Sequence, residues 1–205
     1  MSRKRLYLVD GMSQIYRAFF ALPSLSNSKG VPTNATYGFT TMLRKLIDDQ
    51  SPDYIGVAFD TAGPTVRHEK FEGYKADRKP MPEPLWIQIP YIRRVCEVFS
   101  VPVIPYPGYE ADDVIGTLAK KAAAAGLAVY IVTSDKDMLQ LVNDDVRVLD
   151  PRKDDLVLDA AKVVEKMGVT PAQIPDLLAL MGCARADPDL RDRREHFGQL
   201  GKGQA

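Results

Sequence analysis

Short apolar runs that each deliver an acid to their own carboxyl end constrain this chain more than any other feature. Residues 6–9 lead into Asp10-Gly11, residues 54–59 into Asp60, and residues 129–132 into Thr133-Ser134-Asp135-Lys136-Asp137. Runs this short, continuously apolar and bounded by turn residues read as strands buried on both faces. Helical periodicities lie between them. One helix is predicted from about Ser13 to Leu22, and a second carries Phe39, Met42, Leu43, Leu46 and Ile47 on one face. A third presents Ile92, Val95, Cys96 and Phe99 with Pro90 in its early turns, and a fourth presents Ile115, Leu118, Ala119 and Ala122. Residues 101–104 add a short strand, and residues 146–149 with 156–158 suggest a late hairpin or edge pair. Strands and helices alternating at this spacing predict the α/β class: a three-layer α/β/α domain whose central sheet is mostly parallel. The loop over residues 23–33, rich in Ser, Asn, Gly and Pro, is long enough to be mobile. Trp86, behind the proline-stiffened connector 80–84, reads as a packing residue.

In such sheets, sites form outside the carboxyl ends of the strands. The stretch Tyr109-Glu110-Ala111-Asp112-Asp113 places three carboxylates in four positions there, straight after Pro107-Gly108, with Glu110 and Asp113 on one helix face. Each acid alone has a local explanation. Acids at a helix N-terminus gain roughly 0.3–1 kcal/mol from the macrodipole, Asp10 before Gly11 suits a turn, and Ser134 or Asp135 can cap the segment that follows. Jointly these explanations fail for Asp10, Asp60, Glu110, Asp112, Asp113, Asp135 and Asp137, because crowded carboxylates repel unless a cation offsets them. Carboxylate oxygens suit Mg²⁺ or Mn²⁺, and two such ions roughly 3.5–4 Å apart can activate water and stabilise the leaving oxygen of a phosphodiester. The only histidines are His68 and His196, and neither a glycine-rich phosphate loop nor a Ser/His/Asp arrangement competes.

Lys+Arg and Asp+Glu each total 27, so no overall basic excess points to nucleic acid and such a partner needs a local patch. Residues 67–80 offer one, interleaving basic residues with aromatics; Lys75 and Arg78, three apart, share a face if helical. The segment is either a solvated surface helix or a wall that grips phosphates and stacks a base. Two cysteines, Cys96 and Cys183, are too few for a disulfide framework and fit a Cys/His zinc site poorly; both thiols are expected reduced. No apolar run approaches the roughly 20 residues of a membrane span, and residues 1–5 lead into a strand, so the expected compartment is the cytoplasm.

The residues resemble the 5'-to-3' nuclease domain of bacterial DNA polymerase I, related to the flap endonucleases, with a PIN-like core. The resemblance rests on Leu8-Val9-Asp10-Gly11 with Tyr16-Arg17-Ala18, Phe59-Asp60 with Arg67, and Tyr74-Lys75 with Arg78. It continues through Glu110-Ala111-Asp112-Asp113-Val114-Ile115-Gly116 and Thr133-Ser134-Asp135-Lys136-Asp137. It covers roughly residues 5–182 and implies a nuclease that removes RNA primers and cuts 5' flaps in replication and repair. It implies that the seven acids hold two Mg²⁺ ions, with Mn²⁺ as a substitute, directly or through water. It further implies that Lys75 and Arg78 face the scissile phosphate, that Arg17, Arg67 and Tyr74 join them in contacting nucleic acid, and that residues 67–84 form an arch over the 5' end. The implied partner is DNA with a 5' flap or 5' end, or an RNA-primer/DNA hybrid.

The resemblance breaks after Met181-Gly182. The family continues with Asp-x-x-Asp-Asn-Ile-Pro-Gly and a glycine-rich hairpin, whereas here Cys183 and Ala186 stand where its two acids fall. The expected division is an α/β domain over residues 1–182, whose residues 160–182 open a helix-hairpin-helix-like region, and an atypical, weakly ordered tail over 183–205. That tail is charged, with Leu190, Phe197 and Leu200 isolated, and reads as the disrupted end of a longer domain. The expected consequence is a weakened second metal site, or, as the alternative, a remnant that binds metal and branched DNA without cutting.

Overall fold

The computed structural model of the chain describes residues 3–61, 63, 65–66, 80–151 and 156–186, the last four of these in backbone only. The apolar runs become the parallel strands β1 (Arg5–Asp10), β2 (Tyr54–Ala58), β3 (Val103–Ile104), β4 (Ala128–Val132) and β5 (Val146–Asp150). Strand β6 (Leu156–Leu158) closes one edge antiparallel to β5. The order is β3-β2-β1-β4-β5-β6, so the chain reverses direction across the sheet on either side of β1. Registers place Val9 opposite both Val57 and Val132, and Asp10 opposite Ala58, so β1, β2 and β4 end at one level.

Side chains alternate across the pleat, and each face of the sheet collects its own core. Tyr7 and Val9 join Val57, Val132 and Leu149 against helices α1 (Gly11–Ala21), α2 (Asn34–Gln50), α3 (Glu83–Trp86) and α4 (Ile89–Val98), through Ile15, Phe39, Leu43, Leu85 and Ile92. Leu8, Val129, Ile131 and Val148 face α5 (Ala111–Ala124), α6 (Ala160–Met167) and α7 (Ile174–Ala186), with Ile115, Ala119, Val163 and Ile174 buried between. A 3₁₀ segment (Lys136–Leu141) adds Met138 and Leu139 to that second core. This is the three-layer α/β/α sandwich that the alternation predicts, and the late pair is the antiparallel edge β5–β6.

Helix α1 starts at Gly11, two residues before the predicted start, because Asp10 is both the last residue of β1 and the N-cap: its side chain accepts from the Ser13 N–H. The chain therefore passes from strand to helix without a loop, and it does so against β2. A Cβ on Gly11 would lie 2.5 Å from Phe59 Cε1 and 2.8 Å from the Ala58 carbonyl oxygen, and that backbone cannot yield. Gly11→Ala is expected to destabilise the fold by about 1–3 kcal/mol, read as a lower Tm in thermal unfolding; an unchanged Tm would show that the β1–α1 junction has room.

Trp86 is a correction. Its side chain is 67% exposed, because the four-residue helix α3 buries only Leu85. The loop over 23–33, predicted to be mobile, carries a bridge between Ser26 and Pro32, and the Asn27 side chain accepts from the N–H groups of Lys29 and Val31. Helix α7 continues through Gly182 to Ala186, past the predicted boundary, while the tail from residue 187 onward lies outside the described residues. Cys96 is buried and unbonded to another cysteine, and burial pushes its thiol up to about 11, which makes it an inert packing residue. Among the described residues no helix is long and apolar enough to cross a membrane.

Candidate metal centre

Because β1, β2 and β4 stop level, the acids that follow them meet at one sheet edge. Asp10 is 5% exposed and held at both oxygens: Oδ1 accepts from the Ser13 N–H at 3.0 Å and Oδ2 from the Thr133 hydroxyl at 2.8 Å. Burial pushes its carboxyl up against those two hydrogen bonds, and the charges of Asp135 and Asp60 push the same way. Asp60, just past β2, accepts from the Ala111 N–H at 2.8 Å and so ties its loop to the start of α5.

Helix α5 divides its three acids between two tasks. Asp113 turns back and accepts from the Glu110 N–H at 3.3 Å, the backward arm of a capping box. Asp112, one position earlier and about 100° around the helix, points to the cluster instead. Its carboxyl is pushed up to about 7, first by burial and then by the charges of Asp10, Asp135, Asp60 and Glu110. Asp135 caps the 3₁₀ segment by accepting from the Asp137 N–H at 3.0 Å, as the capping reading expects, and its charge also acts on Asp10 and Asp112. Asp137 sits exposed on the first turn of that segment.

Five of the seven predicted acids, Asp10, Asp60, Glu110, Asp112 and Asp135, thus act on one another electrostatically. The donor set is all oxygen, mutually repelling and partly buried, which suits a hard divalent cation. As the side chains stand, no group of three or more His, Cys, Asp or Glu among the described residues is arranged to hold a metal ion. N–H groups at α1, α5 and the 3₁₀ segment donate to Asp10, Asp60, Asp113 and Asp135 and orient their carboxylates.

Arg17 is turned along α1, donating to Gln14 Oε1 at 3.2 Å and to the Pro151 carbonyl at 3.1 Å, which joins α1 to the end of β5. Arg67, Tyr74, Lys75 and Arg78 lie outside the described residues. The sequence reading assigned no part to Thr133, fully buried between the acids, nor to Asp150, 1% exposed at the end of β5. Asp150 had a signal, since residues 146–149 end in an acid just as the other runs do. Thr133 had none, because its partner is set by strand register.

The family model of the 5'-3' exonuclease N-terminal resolvase-like domain matches residues 5–168. The chain belongs to this exonuclease family. It is 48% identical over 179 residues to a 5'-3' exonuclease of Aquifex aeolicus, a match covering 87% of this chain and 62% of that protein. It is 46% identical over 183 residues to DNA polymerase I of Bacillus subtilis, covering 88% of this chain and 21% of the polymerase. The chain therefore spans only part of the length of either relative. Its fold matches that of the bacteriophage T5 flap endonuclease, solved as a pseudo-enzyme–product complex with DNA and metal ions. There the TM-score is 0.67 at 24% identity, over 87% of this exonuclease-family chain and 66% of the phage protein.

Proposed function

We propose that this chain is a divalent-metal-dependent 5'-3' exonuclease and structure-selective 5' flap endonuclease, acting in the cytoplasm on DNA and on RNA primers paired to DNA. The observation that carries the reading is Asp112, partly buried at one sheet edge, whose carboxyl is raised to about 7 first by that burial and then by the charges of four other acids. Such a cluster is a stability liability without a cation and a binding site with one. Asp10, Asp60, Glu110, Asp112, Asp113, Asp135 and Asp137 would hold Mg²⁺, or Mn²⁺ in its place, directly or through water. Ions there would supply a water of lowered pKa and neutralise charge developing on the phosphate. The chain's own residues do the rest. The N–H groups at the start of α1 and α5 orient Asp10 and Asp60. The same reading assigns Lys75 and Arg78 to the scissile phosphate, and Arg17, Arg67 and Tyr74 to the strand beside it.

The deciding experiment is cleavage of a labelled 5' flap in Mg²⁺ and then Mn²⁺, beside a binding titration in Ca²⁺. Metal-dependent cutting supports the reading, and absence of both cutting and binding overturns it. Lys75→Ala is expected to reduce kcat more than DNA affinity; equal loss of both would reduce Lys75 to a gripping residue. A second reading rests on Cys183 and Ala186, which leave no family-type carboxylates at the last turn of α7. On that reading the second ion is held weakly or not at all, and the chain binds branched DNA in Ca²⁺ without cutting in Mg²⁺.

A further inference from the structure

We infer that Thr133 is a positioning residue that locks Asp10 and Asp135 into one unit, an inference that rests on the metal-nuclease reading above. Because Val9 pairs with Val132, Asp10 and Thr133 are the next residues on neighbouring strands. Thr133 is 0% exposed, and its backbone N–H is bonded to the Leu149 carbonyl at 3.2 Å, which anchors it to β5. Its hydroxyl has two different neighbours. Asp10 Oδ2 lies at 2.8 Å and can only accept when ionised, so the hydroxyl proton points there. The Asp135 N–H lies at 3.1 Å and can only donate, so it takes a lone pair of the same oxygen. One hydroxyl thus bridges the β1–α1 junction to the loop after β4 with no freedom to rotate.

A second link runs in parallel. Ser13, whose N–H holds the other oxygen of Asp10, contacts the Ser134 hydroxyl at 3.1 Å through its own. With one bond on each carboxylate oxygen, Asp10 keeps its orientation while a further lone pair on each oxygen remains for a cation. Through the Thr133 hydroxyl the Asp10 carboxylate and the Asp135 backbone are held at a set spacing. Partners of this kind, one bond behind a metal ligand, typically carry 10–100-fold in metal affinity or activity.

A buried threonine also needs a hydrogen bond for its own sake, so the test separates hydroxyl from volume. Thr133→Val keeps the shape and loses the hydroxyl; Thr133→Ser keeps the hydroxyl and loses a methyl. Mn²⁺ titration of the DNA-free proteins is the first readout, and flap cleavage with kcat and KM resolved is the second. Thr133→Val is expected to bind Mn²⁺ about 10–100-fold more weakly and to lose a similar factor in kcat with little change in KM, while Thr133→Ser stays within about fivefold on both. Wild-type Mn²⁺ affinity in Thr133→Val, or equal loss in both variants, overturns the inference. If Thr133→Val does not fold, Thr133→Ala takes its place: loss there with retention in Thr133→Ser supports the link, and wild-type behaviour overturns it. A wild-type protein that binds Mn²⁺ but does not cut sinks the proposed activity alone, and the affinities still judge the link. A wild-type protein that binds no Mn²⁺ overturns the inference as well.

Discussion

Asp112→Asn is expected to lower Mg²⁺-dependent cleavage of a 5' flap by about 10³-fold, equivalent to about 4 kcal/mol of lost transition-state stabilisation, with the protein still folded. Asparagine keeps the shape of Asp112 but neither its charge nor its value as a cation ligand. The competing explanation, an acid placed at a helix N-terminus for the macrodipole, makes the opposite pair of predictions: activity intact and stability lower by roughly 0.3–1 kcal/mol. The two accounts therefore differ in sign as well as size. In the cluster account the metal-free variant is more stable than the wild type, because one of five mutually repelling charges has gone. Cleavage rate and thermal unfolding in chelator, measured on the same preparation, decide between them. Cleavage within tenfold of wild type, or a metal-free variant less stable than wild type, would count against the cluster.

Stability of the metal-free wild type is expected to fall between pH 4 and pH 7, the reverse of what paired carboxylates produce. Asp112 titrates near 3.8 when unfolded and at about 7 when folded. Between those values the folded chain holds a proton that the unfolded chain has released, so raising the pH favours unfolding, by at most about 1.4 kcal/mol per pH unit. The loss is complete once the pH passes the folded value. Asp112 retains contact with solvent, which screens the effect, so a total of about 2 kcal/mol is expected. About three-fifths of that loss falls between pH 5 and pH 8, which for a chain of this size lowers Tm by about 2–5 °C in chelator. Asp10, shifted in the same direction, adds to the slope. Asp112→Asn should flatten the profile, and millimolar Mg²⁺ or Mn²⁺ should restore the wild-type Tm at pH 8, since a ligand that binds only the folded state stabilises it. A metal-free Tm that rises from pH 5 to pH 8 would exclude a repelling cluster.

What the sequence by itself determined was the material: which segments are strands, which are helices, and which residue types stand at the strand ends. Residues 54–59 and 129–132 read as strands because a strand packed on both faces leaves a continuous apolar run with no alternation to misread, and the observed strands are Tyr54–Ala58 and Ala128–Val132. The acids after β1, β2 and β4 were legible for the same reason, since each breaks such a run. Tertiary structure alone decided what each acid does. Asp112 and Asp113 are adjacent in the chain, yet the rotation of one helical step sends one into the cluster and the other back to the Glu110 N–H. Trp86 is exposed because helix α3 is too short to present a second residue inward, a fact about length that no periodicity reports. Thr133 meets Asp10 because Val9 pairs with Val132. Strand order and register are set by how helices pack on both faces of the sheet, an interaction between segments far apart in the chain.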